Sequence, residues 1–316
     1  MLDLRWHQFQ WRIAPERLKI VLAFLVVCLV WGSTYVAVRF ALESMPPFLM
    51  GAIRFFTAGL ALYAWMRLRG VPRPEKAHLL PTLLVGILVI GFGTTSVALA
   101  EKYLPSGMVS LLVATMPVNV VLLRWLKPGG SYPGGRVVAG LFFAIVGLVV
   151  LLGPAKVLEH GSNLWAVVCV FVGSLGAAIG ALYARSAKLP PSPQLATGMQ
   201  MIFVGVVLFA ISLITGELTY ISQLHLSLKS LLALLFLIVF SSMLAFSAYA
   251  WLLKSVDPAK VSTYAYINPI VAIVSGCIFA GEGMTLQSVV GAVIVLGAVC
   301  LISQARSHPI LKQSKT

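Results

Sequence analysis

The stretch from Pro258 to Glu282, PAKVSTYAYINPIVAIVSGCIFAGE, decides how this chain is read. It is an apolar run of membrane-spanning length with a proline near its middle, and it predicts a broken transmembrane helix. A hydrocarbon core about 30 Å thick takes roughly 20 helical residues. Pro269 stands eleven residues after Pro258, about 16 Å along a helix and so close to the midplane. Proline has no N–H for the carbonyl of Ala265, which frees an acceptor where lipid supplies no water. Tyr264, Tyr266 and Asn268 crowd the same spot. Polar groups beside a helix break at mid-depth are one way a membrane protein frames a binding site.

Working outward, Pro105 to Leu126, PSGMVSLLVATMPVNVVLLRWL, repeats the plan. Val109-Ser110 matches Val261-Ser262 and Pro117 matches Pro269, both at an offset of 152. Two such helices imply a duplicated chain.

Of the 316 residues, 59% are hydrophobic and 10% charged, too few polar groups to coat a water-soluble globule of this size, so an integral all-α membrane protein is expected. The net charge of +14 would suit nucleic acid, but the basic residues cluster in short connections and no nucleic-acid partner is expected. Cys28, Cys169, Cys277 and Cys300 lie within apolar spans without metal-ligand spacing and read as small core residues. No metal or cofactor is expected, and membrane lipid is the surrounding partner. The first apolar run reads as a retained span and not a signal peptide. The leader, residues 1–19, carries Trp6, Phe9, Trp11, Arg12, Arg17 and Lys19 and is either a surface-lying segment or a loose basic tail.

Spans fall near 20–42, 47–66, 79–100, 105–126, 136–153, 164–185, 195–215, 229–253, 258–281 and 284–304, which makes ten. With a cytoplasmic N-terminus, the inner connections hold 18 of the 23 Lys and Arg, while Glu43, Glu101, Glu159, Glu217 and Glu282 fall outside. Both termini, including the tail 305–316, are therefore expected in the cytoplasm. Five spans per copy, 20–153 and 164–304, turn the second copy upside down. Inverted five-helix repeats place a solute path at their interface and allow opening to each side in turn.

Trp65, Trp125, Trp165 and Trp251 lie near span ends, where interfacial tryptophans belong. Trp31 does not: it lies eleven residues into the first span, followed by Gly32, Ser33, Thr34 and Tyr35. Four residues separate Trp31 from Tyr35, so they share a helix face that lines a cavity or packs against another helix. Arg54 is the one basic residue well inside a span; an arginine there costs roughly 2.5 to 3.5 kcal/mol on insertion scales and needs a partner. It either snorkels towards Glu43 or anchors a carboxylate or phosphate, with a moving ion-pair gate as a third reading. Thr94, Thr115, Asn119, Tyr183, Ser241, Ser242 and Tyr249 add polar positions to an amphipathic, aromatic-rich cavity. Gly176 and Gly180 form GxxxG, either internal packing or a homodimer surface.

No GxxxxGK[ST], HExxH or GxSxG appears, which leaves the chain without its own ATP site or a hydrolase signature, and no enzyme is expected. No acid sits at mid-span, which disfavours proton-coupled export of organic cations. Glu101 and Glu282 are the nearest candidates for coupling, with topology-setting charge as the other reading, and Pro117 and Pro269 are candidate gating kinks.

WGSTYVAVRFALESMPP from Trp31, RFFTAGL from Arg54, PSGMVSLLVATMP from Pro105, YAYINP from Tyr264 and the Gly281-Glu282 pair together resemble the EamA family of the drug/metabolite transporter superfamily. Its bacterial inner-membrane permeases are the nearest likeness. The resemblance implies ten helices in an inverted repeat, cytoplasmic termini and export of small metabolites, amino acids or drugs. It also sets the central cavity against helices bearing Trp31, Tyr35, Tyr264 and Asn268. One departure stands out: family members often carry a tryptophan in the sixth helix, but Ser174 to Gly180 reads SLGAAIG, which predicts a wider pocket on that side. Arg54 corresponds roughly to Gln200, so an anion site would be asymmetric. A secondary transporter exporting small amphipathic solutes is the expectation; an uncoupled, channel-like permease is the alternative, and a membrane-embedded enzyme or lipid scaffold the other class, disfavoured by the lack of a nucleophile, metal or acid/base constellation.

Overall fold

The computed structural model describes residues 16–116, 119, 123, 125–126, 134–152, 161–219, 226–256, 261 and 264–304. Most of the leader, Pro117, Pro258 and the tail from 305 lie outside the described residues, and so do the expectations attached to them. Among the described residues there is no strand.

In chain order the helices are α1 (Glu16–Leu42), α2 (Pro47–Leu68) and α3 (Lys76–Ala100), then α4 (Ser106–Ala114), with helical positions continuing as far as Leu126. The chain goes on through α5 (Gly135–Leu152), α6 (Gly161–Ala184) and α7 (Pro193–Ile214). It then enters α8, which starts at Leu228 and ends at Ser255, followed by α9 (Tyr264–Ala280) and α10 (Leu286–Gln304). Six of these are long and apolar enough to cross a bilayer, and α5, α9 and α10 are shorter apolar helices. Phe142, Ile145, Ile278 and Val293 stay more than 60% exposed, an apolar outer face that suits lipid and would be a liability in water.

The repeat is visible in the helices. The segments Lys76–Ala100 and Leu228–Leu252 are offset by 152 at both ends, and α2 and α7 are each 22 residues long and offset by 146. Both α3 and α8 widen into π-helix at mid-length, Ile87–Phe92 in one and Leu237–Ala245 in the other. Shifting 87–92 by 152 gives 239–244, inside the second π stretch. Packing follows the same symmetry: α2 lies on α7 and α5 on α10, while α1 packs on α8 and α9 as α6 packs on α3 and α4. Each half thus completes itself against the other.

Two expectations change here. Pro269 does not break its helix; α9 runs through it from Tyr264 to Ala280. The irregularity in the matching helix comes earlier, at Thr115, which leaves the α-helix at Ala114 and turns back to the Leu112 carbonyl. The wide turns fall instead in α3 and α8, in stretches that contain no proline of their own. Gly173, Gly176 and Gly180 of α6 fit against the α3 π stretch, with a Cβ on Gly176 falling 2.9 Å from Phe92 and one on Gly180 2.7 Å from Leu88 and Val89. The GxxxG pair is therefore spent inside the chain, which removes it as an argument for a homodimer.

One end of the bundle carries Glu43, Glu101, Glu217 and Glu282. Two of these acids use one device. Gly216 (φ +74°) and Gly281 (φ +63°) take the left-handed conformation just past α7 and α9, so the following glutamates turn back on a neighbouring helix. Glu217 accepts from the Phe48 and Leu49 amides at the start of α2, at 3.2 and 2.7 Å. Glu282 accepts from the Ser106 amide and hydroxyl at the start of α4, both at 2.9 Å. Each carboxylate satisfies orphan donors and meets the positive pole of a helix, a stabilising arrangement.

Candidate functional site

The site is assembled around Trp31 of α1. Its ring lies 5.0 Å from Phe246, 5.2 Å from Tyr249 and 5.1 Å from Tyr264, and the two tyrosines are 5.6 Å apart, mostly edge to face. Phe246 and Tyr249 are three apart on α8, so they share a face; Tyr264 opens α9. Four rings from three helices, drawn from both repeats, make one aromatic cluster.

A polar line leaves this cluster through the α8 π stretch. The Trp31 indole donates to the Ser241 carbonyl at 3.2 Å, and the Thr34 and Ser241 hydroxyls share a 2.8 Å hydrogen bond. Arg54 of α2 then donates through Nε to Ser242 Oγ and through Nη2 to Ser241 Oγ, each at 3.0 Å. Arg54 is 5% exposed, with its guanidinium also over the Phe55 ring at 4.7 Å. The snorkelling reading therefore fails: Arg54 turns inward, and Glu43 pairs with Lys229 at 2.6 Å instead. Two neutral hydroxyls solvate the guanidinium without cancelling its charge, and no carboxylate lies within ion-pair distance of it among the described residues.

Asn268, its amide nitrogen oriented by its neighbours, donates to the Cys28 carbonyl at 3.2 Å and the Tyr264 carbonyl at 3.1 Å, tying α9 to α1 beside the cluster. Gly32 permits that approach, since a Cβ there would strike Val271 and lie 3.1 Å from the Asn268 carbonyl. In the other half Asn119 donates to Ser174 Oγ at 2.6 Å, while its carbonyl oxygen is buried without a partner among the described residues.

Other expected residues lie elsewhere. Tyr35 parts from Trp31 and packs with Val97, Ala100, Leu104 and Val109 on the way to Glu101. The reason is that α1 packs on α4 as well as on α8 and α9, so an i, i+4 pair is divided between two clusters. Thr94 and Thr115 bond back to the carbonyls of Ile90 and Leu112, the local bonding open to any helical threonine. Tyr183 stands next to the last residue of α6 and joins none of the described contacts of the cluster. Beside residues 174–180, where a wider pocket is expected, Gly176 and Gly180 pack directly on α3. Phe246 was legible only as an aromatic three residues before Tyr249, and Thr34 as part of WGSTY.

At the Glu-bearing end, Arg39 donates to Glu282 at 2.5 Å, joining α1 to the α9–α4 cap. Glu101, immediately beyond the last residue of α3, is 5% exposed, and neither of its carboxylate oxygens has a hydrogen-bond partner among the described residues. Burial first, and then the charge of Glu282, push its carboxyl well above the ordinary range against the opposing pull of Arg39 and Arg54. No group of ligating residues that could hold a metal occurs among the described residues. Aromatic faces, a buried cation and hydroxyls can bind and orient a solute, and they include no nucleophile set beside a base.

A family model, the EamA-like transporter family, matches residues 18–153 and 164–304. An Escherichia coli (strain K12) protein, "Uncharacterized inner membrane transporter YedA", is 32% identical over 283 residues, covering 89% of each chain. "Protein PecM" of Dickeya dadantii (strain 3937) is 26% identical over 89% of this chain and 90% of its own. "WAT1-related protein At3g02690, chloroplastic" of Arabidopsis thaliana is 28% identical over 86% of this chain and 66% of its own. A solved crystal structure at 17% identity superposes with a TM-score of 0.62 over 90% of this chain and 96% of its own, a likeness of fold.

Proposed function

The chain belongs to the EamA-like transporter family, and on that premise we infer that it is a secondary transporter that exports small amphipathic solutes across the cytoplasmic membrane by alternating access. The observation that carries this is the join at Ser241, where a four-ring aromatic cluster meets a buried arginine that no described carboxylate pairs. Aromatic faces take the apolar part of a solute and Arg54 takes a carboxylate, by a charge-assisted and potentially bidentate contact. Zwitterionic and anionic solutes, amino acids above all, suit that pairing better than organic cations do.

The two five-helix units, 20–153 and 164–304, would move against each other, with both termini in the cytoplasm and the Glu-bearing end facing out. The conformation described holds that end together through the Arg39–Glu282 contact and the two Gly-Glu caps. The reading is tested by reconstituting the protein in liposomes loaded with a labelled L-amino acid mixture and measuring efflux. Wild type should release the label and Trp31→Ala should not. Release of organic cations alone would reject the anionic preference, and no release of any class would reject transport of small polar solutes.

A further inference from the structure

Four acids at one end of the bundle invite comparison, and three of them are spoken for. Glu43 pairs with Lys229, Glu217 caps α2, and Glu282 holds Arg39 and caps α4. Glu101 is as buried as any of them and has none of this. It also sits at the wrong pole. Glu282 lies at a helix N-terminus, where a negative charge is stabilised, whereas Glu101 follows the C-terminal end of α3, the pole that disfavours one. A buried carboxyl without a hydrogen-bond donor, set at the negative pole of a helix, favours its protonated form.

We propose that Glu101 is the site at which this transporter takes up and gives back a proton during its cycle, beside the latch that Glu282 forms with Arg39 and the start of α4. The proposal rests on the transport reading for the cycle but not for the protonation. The groups facing Glu101 set its response. From α1 come Tyr35 and Arg39, from α2 Arg54, and from the turn after α9 Glu282. Neither α4, over Ser106–Ala114, nor α6 carries an acid or base close enough to add to this set. Arg54 links the two sites, because the same guanidinium attracts the Glu101 carboxylate and, in the proposed function, the solute's. A solute carboxylate arriving at Arg54 removes the cation that favours ionised Glu101, so the carboxyl holds its proton. When the solute leaves, Arg54 is free to favour the carboxylate and the proton departs. Solute binding and ionisation of Glu101 compete for one positive charge, so solute and proton are held together and travel the same way, out of the cell when the gradient points out.

Infrared difference spectroscopy of the full chain in lipid nanodiscs, titrated from about pH 4 to 9, reads the protonated carboxyl directly and needs no solute. Wild type should keep a protonated-carboxyl band above the ordinary carboxylate range. Glu101→Gln should lose it and Glu282→Gln should retain it, and a band untouched by Glu101→Gln overturns the proposal. In proteoliposomes holding a labelled L-amino acid mixture, a gradient of one pH unit should sustain about tenfold accumulation in wild type. Glu101→Gln should show none, with Glu101→Asp restoring part of it. Accumulation in Glu101→Gln equal to that of wild type also overturns it. A protein that shows the band and moves no label contradicts the solute class and leaves the proton site supported.

Discussion

Trp31 donates its indole N–H to the backbone carbonyl of Ser241, 210 positions away, at 3.2 Å. The acceptor lies in the α8 π stretch, where the regular ladder is interrupted, and the donor lies on the first helix of the other repeat. One hydrogen bond thus fastens the two halves at the point where three other rings converge.

Truncating Trp31 removes that bond and three ring contacts together. Trp31→Ala should lower stability by up to about 3 kcal/mol, the low end for a truncated ring because Trp31 is only half-buried. Trp31→Phe should recover most of that while still losing solute-induced stabilisation. Thermal melts of both variants with and without an L-amino acid mixture separate the two effects; equal ligand shifts in Trp31→Phe and wild type would remove the indole from the site.

Arg54 offers a planar fork to Ser241 and Ser242 that lysine cannot reproduce. Arg54→Lys should therefore weaken half-saturation for carboxylate-bearing solutes by roughly tenfold or more, the cost of one charge-assisted hydrogen bond of about 1.5 to 3 kcal/mol. Neutral solutes of similar size should be affected much less. Competition uptake with an amino acid and its amide decides the matter, since an equal loss for both argues against carboxylate recognition.

The Arg39–Glu282 contact bridges the end of α1 to the start of α4, with Arg39 still 39% exposed. Its worth lies in holding an end shut more than in stability. Arg39→Ala or Glu282→Gln should raise the rate at which a cysteine at Ser110, buried one turn into α4, reacts with a membrane-impermeant maleimide. An unchanged labelling rate would show that this end is closed by other contacts.

Gly59, Gly198 and Gly205 let α2 and α7 touch backbone to backbone. A Cβ on Gly205 would fall 2.6 Å from the Phe56 amide nitrogen, and backbone cannot step aside, whereas one on Gly297 meets nothing within 4 Å. Gly205→Ala should destabilise by about 1 to 3 kcal/mol and Gly297→Ala by almost nothing. Parallel denaturation curves test the contrast.

The sign of the pH effect on stability follows from Glu101. Its folded-state carboxyl is raised above the ordinary unfolded value, so between the two values the folded protein binds more protons than the unfolded one. Its contribution is complete below the ordinary carboxylate range and is lost as pH rises through the folded value. The melting temperature of wild type should fall as pH climbs from about 5 to 8, and Glu101→Gln should flatten that slope. A rising wild-type melting temperature, or an unaltered slope in the variant, would contradict this assignment.

The all-α membrane class and the repeat were readable in the residues, because a bilayer imposes span length and apolarity locally and a duplicated segment carries its 152-residue offset with it. Trp31, Tyr249, Tyr264, Asn268 and Arg54 were legible for the same reason: each is costly in lipid unless another helix receives it. What the tertiary structure decided is which helix does so. Trp31 and Tyr35, neighbours on one helix face, part company because α1 packs on α4 as well as on α8 and α9. The inward turn of Arg54 and the opposite surroundings of Glu101 and Glu282 arise from contacts between residues far apart in the chain. Polarity and length are properties of a segment, but a helix pole or a hydroxyl within 3 Å belongs to a neighbour that only folding supplies.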